Sequence, residues 1–403
     1  MEWPSEGISR VPNRLYSDPA IYALEQERIF RGRGWSYVAL EAEIPNAGDY
    51  KRTTIGDKPV VVFRNNAGDV TVVENRCAHR GVQFCQKHLG NMPEIVCPYH
   101  QWTYNLEGDL IGVPFRRGIE QQGGMPADFD PARHGLRTLA VTRRNGVVFA
   151  SFAADTEPLE AYLGSSILKL FDRVFDGRKL TILGYSRQLT PANWKLMFEN
   201  IKDPYHASLL HVFLLSFGLY RADQPSKVWI DPSGRHAATM SWRGEQKKTE
   251  ANTDMRSLLE DLRLQGTTML QPAREFAEYT IVMTTIWPNL IIQQQSNTLA
   301  TRQLITKGPN AFELAWTFFG YETDDAEMVQ RRVRQANLMG PAGYVSVDDS
   351  EMMMCTQQGI APYPESVGVL EMGGRDWAEE TPHSVTESPT RGFYAHDRTV
   401  MGL

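Results

Sequence analysis

The chain of 403 residues is 42% hydrophobic and 22% charged, an ordinary globular balance with room for two domains and a sizeable core. A net charge of -6, with no run of Lys and Arg, argues against a polyanion-binding surface and points away from nucleic acid and membrane. Four cysteines, Cys77, Cys85, Cys97 and Cys355, are too few for a disulfide scaffold of this size, so metal ligation is their better use.

The amino terminus, MEWPSEGISRVPNRLY, has no basic stretch leading into an apolar one, so the expectation is a cytoplasmic product without signal or transit peptide. Asp18-Pro19 opens a predicted packing helix through Ile21, Leu24, Glu25 and Ile29 to Phe30. From Trp35 the pattern changes to short β-runs, and Pro59 to Arg64, a turn at Asn65 to Asp69, and Val70 to Glu74 form a hairpin. Two loops follow it: Asn75-Arg-Cys77-Ala-His79-Arg-Gly81, and, after the strand Ile95-Val96, Cys97-Pro-Tyr-His100-Gln-Trp102. The spacing is Cys-x-His, seventeen residues, then Cys-x-x-His. Zinc would satisfy the same ligand count, but zinc pairs keep like ligands together. Here each loop offers one thiolate and one imidazole, which suits a Rieske [2Fe-2S] centre, where two cysteines hold one iron and two histidines the other. Cys85 and Cys355 have no partner spacing and read as buried free thiols; His88, His134, His236, His383 and His396 read as surface or structural. Asn105 to Asp109 is a further turn, and Val141 to Phe152 is a closing hairpin about Asn145-Gly146, so the cluster domain spans 37–153.

Beyond it, Leu159 to Phe175 reads as a helix and Thr181 to Leu189 as a strand leading into Asn193 to Phe213, NWKLMFENIKDPYHASLLHVF. Asp203 and His206 are three apart and share a helix face, whereas His211 swings away from it unless the helix bends, and Pro204 supplies a bend. A satisfied core histidine pair beside a solvated aspartate is the bland alternative. Residues 243–275 read as charged surface helix and loop. Tyr279 to Trp287, Leu290 to Gln295, Leu299 to Thr306 and Ala311 to Tyr321 are consecutive strands of an antiparallel sheet, not a membrane span. Asp324 to Leu338 is an amphipathic helix ended by Gly340-Pro341; Gly343 to Met354 carries Asp348-Asp349, and a tail runs from Gly373 to Leu403. Two histidines and a carboxylate on one side of a metal form the facial triad of non-haem Fe(II). His206 and His211 supply the imidazoles, and periodicity does not choose among Asp203, Asp348 and Asp349 for the third ligand.

NRCAHRG with CPYHQWTY, then NWKL..EN.KDPYH....H and GPAGYVS.DD, together resemble the catalytic α subunit of Rieske non-haem iron aromatic-ring hydroxylating oxygenases, from about Trp35 to Gly402. The resemblance implies an α+β fold. An all-β Rieske domain would occupy 37–153, and a helix-covered antiparallel sheet of helix-grip, START-like form 154–403, with residues 1–36 packed on the latter. It makes Cys77 and Cys97 ligands of one cluster iron, His79 and His100 ligands of the other, and His206, His211 and Asp349 the ligands of a mononuclear Fe(II). Asp203 matches a bridging aspartate that hydrogen-bonds His100 of one subunit and His206 of the next in a ring-shaped trimer. Asn200 matches an asparagine that approaches the iron without being a usual ligand. The resemblance further implies three small β subunits in an α3β3 assembly. The chain has no G-x-G-x-x-G after a strand and no four further cysteines for a plant-type cluster, so NAD(P)H would be used by a separate reductase, with or without a ferredoxin.

LEAEIPN.GD, GVPFRRG, ENIKDPYH, QANLMGPAGYVS and TES..RGF are most similar to the benzoate-acting branch of salicylate 5-hydroxylases, anthranilate dioxygenases and terephthalate dioxygenases. An aromatic carboxylate substrate needs a buried countercharge, and Arg302 and Arg391 match carboxylate-binding positions of that branch, a structural ion pair being the alternative for each. FDRVFDGRKLTILGY, MTTIWP and VDDSE lean toward monohydroxylation of salicylate to gentisate; Ala207-Ser208 leans toward dioxygenation of anthranilate or terephthalate. A Rieske electron carrier without oxygenase activity is the reading from another class, and it would be marked by a missing His206, His211 or late aspartate; none is missing.

Overall fold

Runs of β-branched and aromatic residues fall in two separate parts of the chain, and each part folds as its own unit. The computed structural model describes residues 3–403 apart from 121, 222 and 243–275, of which only 262, 265 and 266 are described. The segment expected as charged surface helix and loop lies outside the described residues. Phe30–Glu157 forms one unit; Met1–Ile29 and Pro158–Leu403 together form the other.

In the first unit the strands are short and antiparallel. Lys58–Arg64 pairs with Asp49–Ile55 on one side and Val70–Glu74 on the other, and Leu89–Asn91 adds to the far edge of Asp49–Ile55. Val60, Val61, Val62 and Phe63 are all fully buried, which explains why this strand reads as a continuous apolar run and not as an alternation. The expected closing hairpin is Ala140–Arg144 with Val147–Ser151, turning at Asn145 and Gly146 with φ of 48° and 85°, and Ser36–Leu40 completes its sheet. A third sheet is built from Ile95–Val96, Thr103–Tyr104 and Leu110–Gly112.

The second unit is organised by an eight-stranded antiparallel sheet. Its order is Leu180–Thr190, Phe312–Tyr321, Thr298–Thr306, Leu290–Gln295, Ile281–Ile286, Ala237–Ser241, Ser226–Ile230 and Glu380–Thr381. The four strands expected between 279 and 321 are present. The pair Ser226–Ile230 and Ala237–Ser241 was not anticipated, because AATMS has little β-branched character to signal a strand. The described helices are α1 (Pro19–Glu25), α2 (Leu159–Val174), α3 (Trp194–Lys202), α4 (Ala207–Leu210), α5 (Val212–Ser216), α6 (Ala326–Met339), α7 (Tyr344–Ile360) and α8 (Ser388–Met401). Helix α8 lies in what the sequence presents only as a tail; its Ser388-Pro389 start and internal Gly392 mask it. None of the described helices is long and apolar enough to cross a membrane.

The first residues belong to this second unit through buried polar contacts. Asp18 caps α1 by accepting from the Ala20 amide, with Pro19 in the first turn. At the end of α1 the buried Glu25 carboxylate accepts from Trp194 Nε1 at 2.7 Å and from the Lys195 ammonium, both on α3. The Tyr16 and Tyr394 hydroxyls meet at 2.8 Å.

Candidate functional site

The stretch from Asn193 to Phe213 is broken twice. Helix α3 starts with the Asn193 side chain accepting from the Lys195 amide and stops at Asp203, φ -108° and ψ 81°, because Pro204 follows. Pro204–His206 makes one 3-10 turn and α4 runs from Ala207, but His211 then leaves the helical region at φ -86° and ψ 67° before α5. The first break carries the expected proline. The second has no sequence signal, and it lets His211 turn back so that the two imidazole centroids lie 5.5 Å apart at 74°.

Helix α7 delivers the third group. Asp349 Oδ1 lies 3.4 Å from His206 Nε2 and 3.3 Å from His211 Nε2, and donor atoms of all three residues fall within 4.8 Å of one another. The His206 Nδ1–H donates to the Asp203 carbonyl, and the His211 Nδ1–H faces Asp348 Oδ2 at 3.3 Å. With both ring protons on Nδ1, both Nε2 lone pairs are directed at one point, as a metal site requires. Asn200 Nδ2 donates to Asp349 Oδ1 at 3.0 Å and lies 3.5 Å from His206 Nε2. Among the three aspartates that periodicity left open, Asp349 faces the Nε2 atoms, while Asp203 and Asp348 lie on the Nδ1 sides. Helix α7 is fixed against its neighbours by Gln357, whose Oε1 accepts from the Asn193 amide at 2.8 Å, and by Gln188, which donates to Ser346 O and Ser350 Oγ.

The electrostatics are those of a cation site. Burial opposes ionisation of Asp349, but hydrogen bonds and charge from His206 and His211 outweigh it and hold the carboxyl well below the usual range. Burial alone would lower the His206 pKa, yet Asp349 and Asp203 raise it. Burial pushes the Asp203 carboxyl up to about 6 against the attraction of His206.

The other four sulfur and nitrogen donors converge in the first unit. The two loops close alike, with the Gly81 amide donating to Cys77 O at 2.9 Å and the Gln101 amide to Cys97 O at 3.0 Å. Both closing residues have positive φ, 76° and 54°. Cys77 and Cys97 are buried, His79 is exposed, and the His79 and His100 ring centroids are 4.6 Å apart. Buried His100 Nδ1 has no hydrogen-bond partner, as expected of a nitrogen reserved for metal. Thiolates inside and imidazoles outside fit a cluster with one iron on each pair. Trp102 stacks on His79 at 4.7 Å.

The Rieske [2Fe-2S] domain family matches residues 34–122, and the family described as ring hydroxylating alpha subunit (catalytic domain) matches residues 176–402. This chain belongs to the Rieske ring-hydroxylating oxygenase alpha subunits. It is 50% identical over 408 residues to the large oxygenase component of salicylate 5-hydroxylase from Ralstonia sp, covering 100% of this chain and 96% of the relative. It is 44% identical over 406 residues, with 100% and 96% covered, to the anthranilate 1,2-dioxygenase large subunit from Burkholderia cepacia. Its fold is that of naphthalene 1,2-dioxygenase from Rhodococcus sp. bound to indole, with a TM-score of 0.81 at 24% identity over 97% of this chain and 94% of that one.

In this oxygenase subunit a cavity of about 110 Å³ opens beside the triad, its walls including Leu214, Val228, Met240 and Met283. Arg302, in the strand Thr298–Thr306, lines the same cavity. Its guanidinium lies 4.1 Å over the Trp316 ring and donates through Nε to Gln293 Oε1 at 2.7 Å, and Nη2 reaches the same oxygen. Burial lowers its pKa to about 9 against the attraction of the Asp349 carboxylate, which among the described residues is not within ion-pair distance. Arg391 requires a correction. It is buried in α8, does not line the cavity, and donates to the carbonyls of Asp376, Leu370 and Met372, so its hydrogen bonds brace the segment 370–376. Two other expectations divide: Cys85 is a buried thiol pushed up to about 12 by burial, but Cys355 is exposed. His236 is structural, its Nε2–H donating to Tyr162 O and its Nδ1 accepting from the Trp287 amide.

Sequence reading also passed over Tyr104. Its hydroxyl accepts from the Ala78 amide and lies 3.2 Å from Cys77 Sγ, so its own hydrogen is free to point at the sulfur. Hydrogen bonds to cluster ligands stabilise the reduced, more negative state. Tyr104→Phe is therefore expected to lower the cluster reduction potential by tens of millivolts without loss of cluster; an unchanged potential in direct voltammetry would show that this hydroxyl does not tune the sulfur.

Proposed function

We propose that this chain is the terminal oxygenase α component that hydroxylates the ring of a benzoate-type acid with O2, with salicylate to gentisate the reaction best supported. The observation that carries the reading is a buried guanidinium lacking a carboxylate partner among the described residues, in the wall of a cavity that also contains His206, His211 and Asp349. A carboxylate substrate would complete that pair. The cavity is also of one-ring scale: about 110 Å³ compares with the ~150 Å³ of an engineered apolar cavity that takes up benzene. The identity of 50% to a salicylate 5-hydroxylase component favours salicylate over the other benzoates.

In this reading Cys77, Cys97, His79 and His100 hold the cluster, and His206, His211 and Asp349 hold the iron. Bound there, the two metal groups would supply electron delivery and dioxygen activation. Arg302 fixes the carboxylate, stiffened from below by Trp316 and from the side by Gln293. Asn200 holds Asp349 Oδ1, and the apolar walls keep water from the reacting ring. The chain would act in the cytoplasm in an α3β3 assembly, fed by a separate NAD(P)H-dependent reductase, with or without a ferredoxin. One feature supports assembly: the Asp203 side chain beside His206 is 27% exposed, which leaves part of its carboxylate within reach of His100 of a neighbouring copy. Asp203→Ala is then expected to keep both metal groups and lose nearly all coupled turnover; normal activity in that variant would sink the intersubunit bridge.

The decisive experiment offers salicylate, anthranilate, benzoate and terephthalate separately to the purified protein with a surrogate reductase and NADH, under labelled dioxygen, with products read by mass spectrometry. Gentisate carrying one labelled oxygen is the expected product. Catechol from anthranilate or a dihydrodiol from terephthalate would move the substrate assignment within the branch, and no turnover of any aromatic acid would overturn it. Arg302→Met is expected to lower kcat/KM for the acid by about ten- to a hundredfold, mostly through KM, the equivalent of one hydrogen-bonded charge. An unaltered KM would assign Arg302 to packing alone.

A further inference from the structure

The triad leaves one acidic side chain beside it without a role. Asp348 precedes Asp349 on α7, and successive helical residues point about 100° apart, so the two carboxylates cannot face the same way. They take opposite ends of one imidazole: Asp349 Oδ1 lies 3.3 Å from His211 Nε2, and Asp348 Oδ2 lies 3.3 Å from His211 Nδ1. His206 is held differently. Its Nδ1–H donates to the neutral backbone carbonyl of Asp203, and the nearest carboxylate oxygen on that side, Asp203 Oδ2, is 3.8 Å away.

We propose that Asp348 is a positioning residue of the mononuclear centre: it holds the His211 ring in the orientation and tautomer that present Nε2 to the metal. The inference rests on the reading of His206, His211 and Asp349 as the metal ligands. His211 needs such an anchor because it sits at a chain break between α4 and α5, outside the helical region, where no continuous helix fixes its side chain. The anchor comes from the helix that carries Asp349, so one rigid element sets both a ligand and the orientation of a second ligand. The side chain of His211 is 2% exposed and that of Asp348 31% exposed, so a carboxylate at the solvent edge anchors a buried ring. A carboxylate on the far nitrogen also makes the imidazole a stronger donor to a cation, an effect the carbonyl behind His206 supplies more weakly.

The test uses the full-length protein with its cluster in place, Fe(II) titrated against a competing chelator, and nitric oxide as the spectroscopic probe of the non-cluster iron. Asp348→Ala is expected to weaken Fe(II) binding by roughly ten- to a hundredfold, with the cluster absorption unchanged and the paramagnetic resonance of the nitric oxide adduct altered in rhombicity. Asp348→Asn keeps an acceptor of nearly the same shape without the charge; it should fall between the two affinities and also shift the spectrum, and it decides the matter alone if the alanine variant does not fold. Glu351→Ala, which removes an exposed charge from the same helix, should bind like the parent protein. Parent affinity and an unchanged spectrum in both Asp348 variants would overturn the proposal, as would an equal loss in Glu351→Ala, which would reduce the effect to net charge. Failure of the parent protein to bind any non-cluster iron would instead overturn the triad reading and this proposal with it.

Discussion

Asp349→Ala is expected to leave the protein with its cluster iron only and to bring ring hydroxylation down to background. One oxygen of this side chain faces both Nε2 atoms, at 3.4 and 3.3 Å, so its loss removes the negative ligand and leaves two neutral imidazoles. Two neutral donors hold a hard divalent cation poorly. Asn200 does not replace it in kind: even with its amide turned to present Oδ1, it offers a neutral oxygen and no negative charge. The cluster should survive, since Cys77, His79, Cys97 and His100 lie in Phe30–Glu157 and Asp349 in the other unit. Iron and acid-labile sulfide analysis beside a turnover assay checks both halves; full iron content with retained hydroxylation would show that the triad is wrongly drawn.

Glu25→Ala is expected to cost about 3–5 kcal/mol of stability, the range for breaking one partner out of a buried ion pair. Glu25 and Lys195 have side chains 1% and 0% exposed, and the same carboxylate also receives Trp194 Nε1. Removing it takes the ion-pair partner from a buried ammonium, leaving it only the more distant attraction of Glu199 and Asp397, and strands a buried indole N–H at the start of α3, the helix whose other end leads into Asp203 and His206. By contrast, the Arg33–Asp155 pair, with side chains 76% and 63% exposed, should change stability by no more than about 1 kcal/mol when broken. Urea unfolding followed by tryptophan fluorescence reads the difference, and an unmoved midpoint for Glu25→Ala would mean that the first residues contribute little to this unit.

The two metal centres were legible in the sequence to different degrees, for a reason of distance along the chain. The cluster donors sit in two short loops, each with its own cysteine and histidine, so local spacing was enough to pair them. The triad draws its carboxylate from a helix 138 positions beyond His211, and no periodicity within Asn193 to Phe213 could prefer Asp349 to Asp203 or Asp348; family resemblance made that choice. Pro204 announced the first break in the stretch. The break at His211 carries no residue signature. Arg391 is the opposite case, because a matching position does not reveal that backbone carbonyls occupy its Nε and Nη1 and leave only Nη2 without a partner among the described residues. The strand Ala237–Ser241 was missed since small residues and Met fill places where branched ones would have signalled a sheet, and without it the short run Ser226–Ile230 had no partner to mark it as a hairpin.

The guanidinium of Arg302 has a consequence for what stays out of the cavity. Arg302 as a whole is 4% exposed, and its guanidinium rests on one neutral amide oxygen and one indole face, with Asp349 attracting it from beyond ion-pair distance. A plain hydrocarbon ring filling that space would displace whatever water solvates the cation and return no charge to it. Selectivity among aromatic molecules would thus arise largely as rejection: benzene or toluene would be refused for stranding a cation, more than an acid is chosen for the strength of its grip.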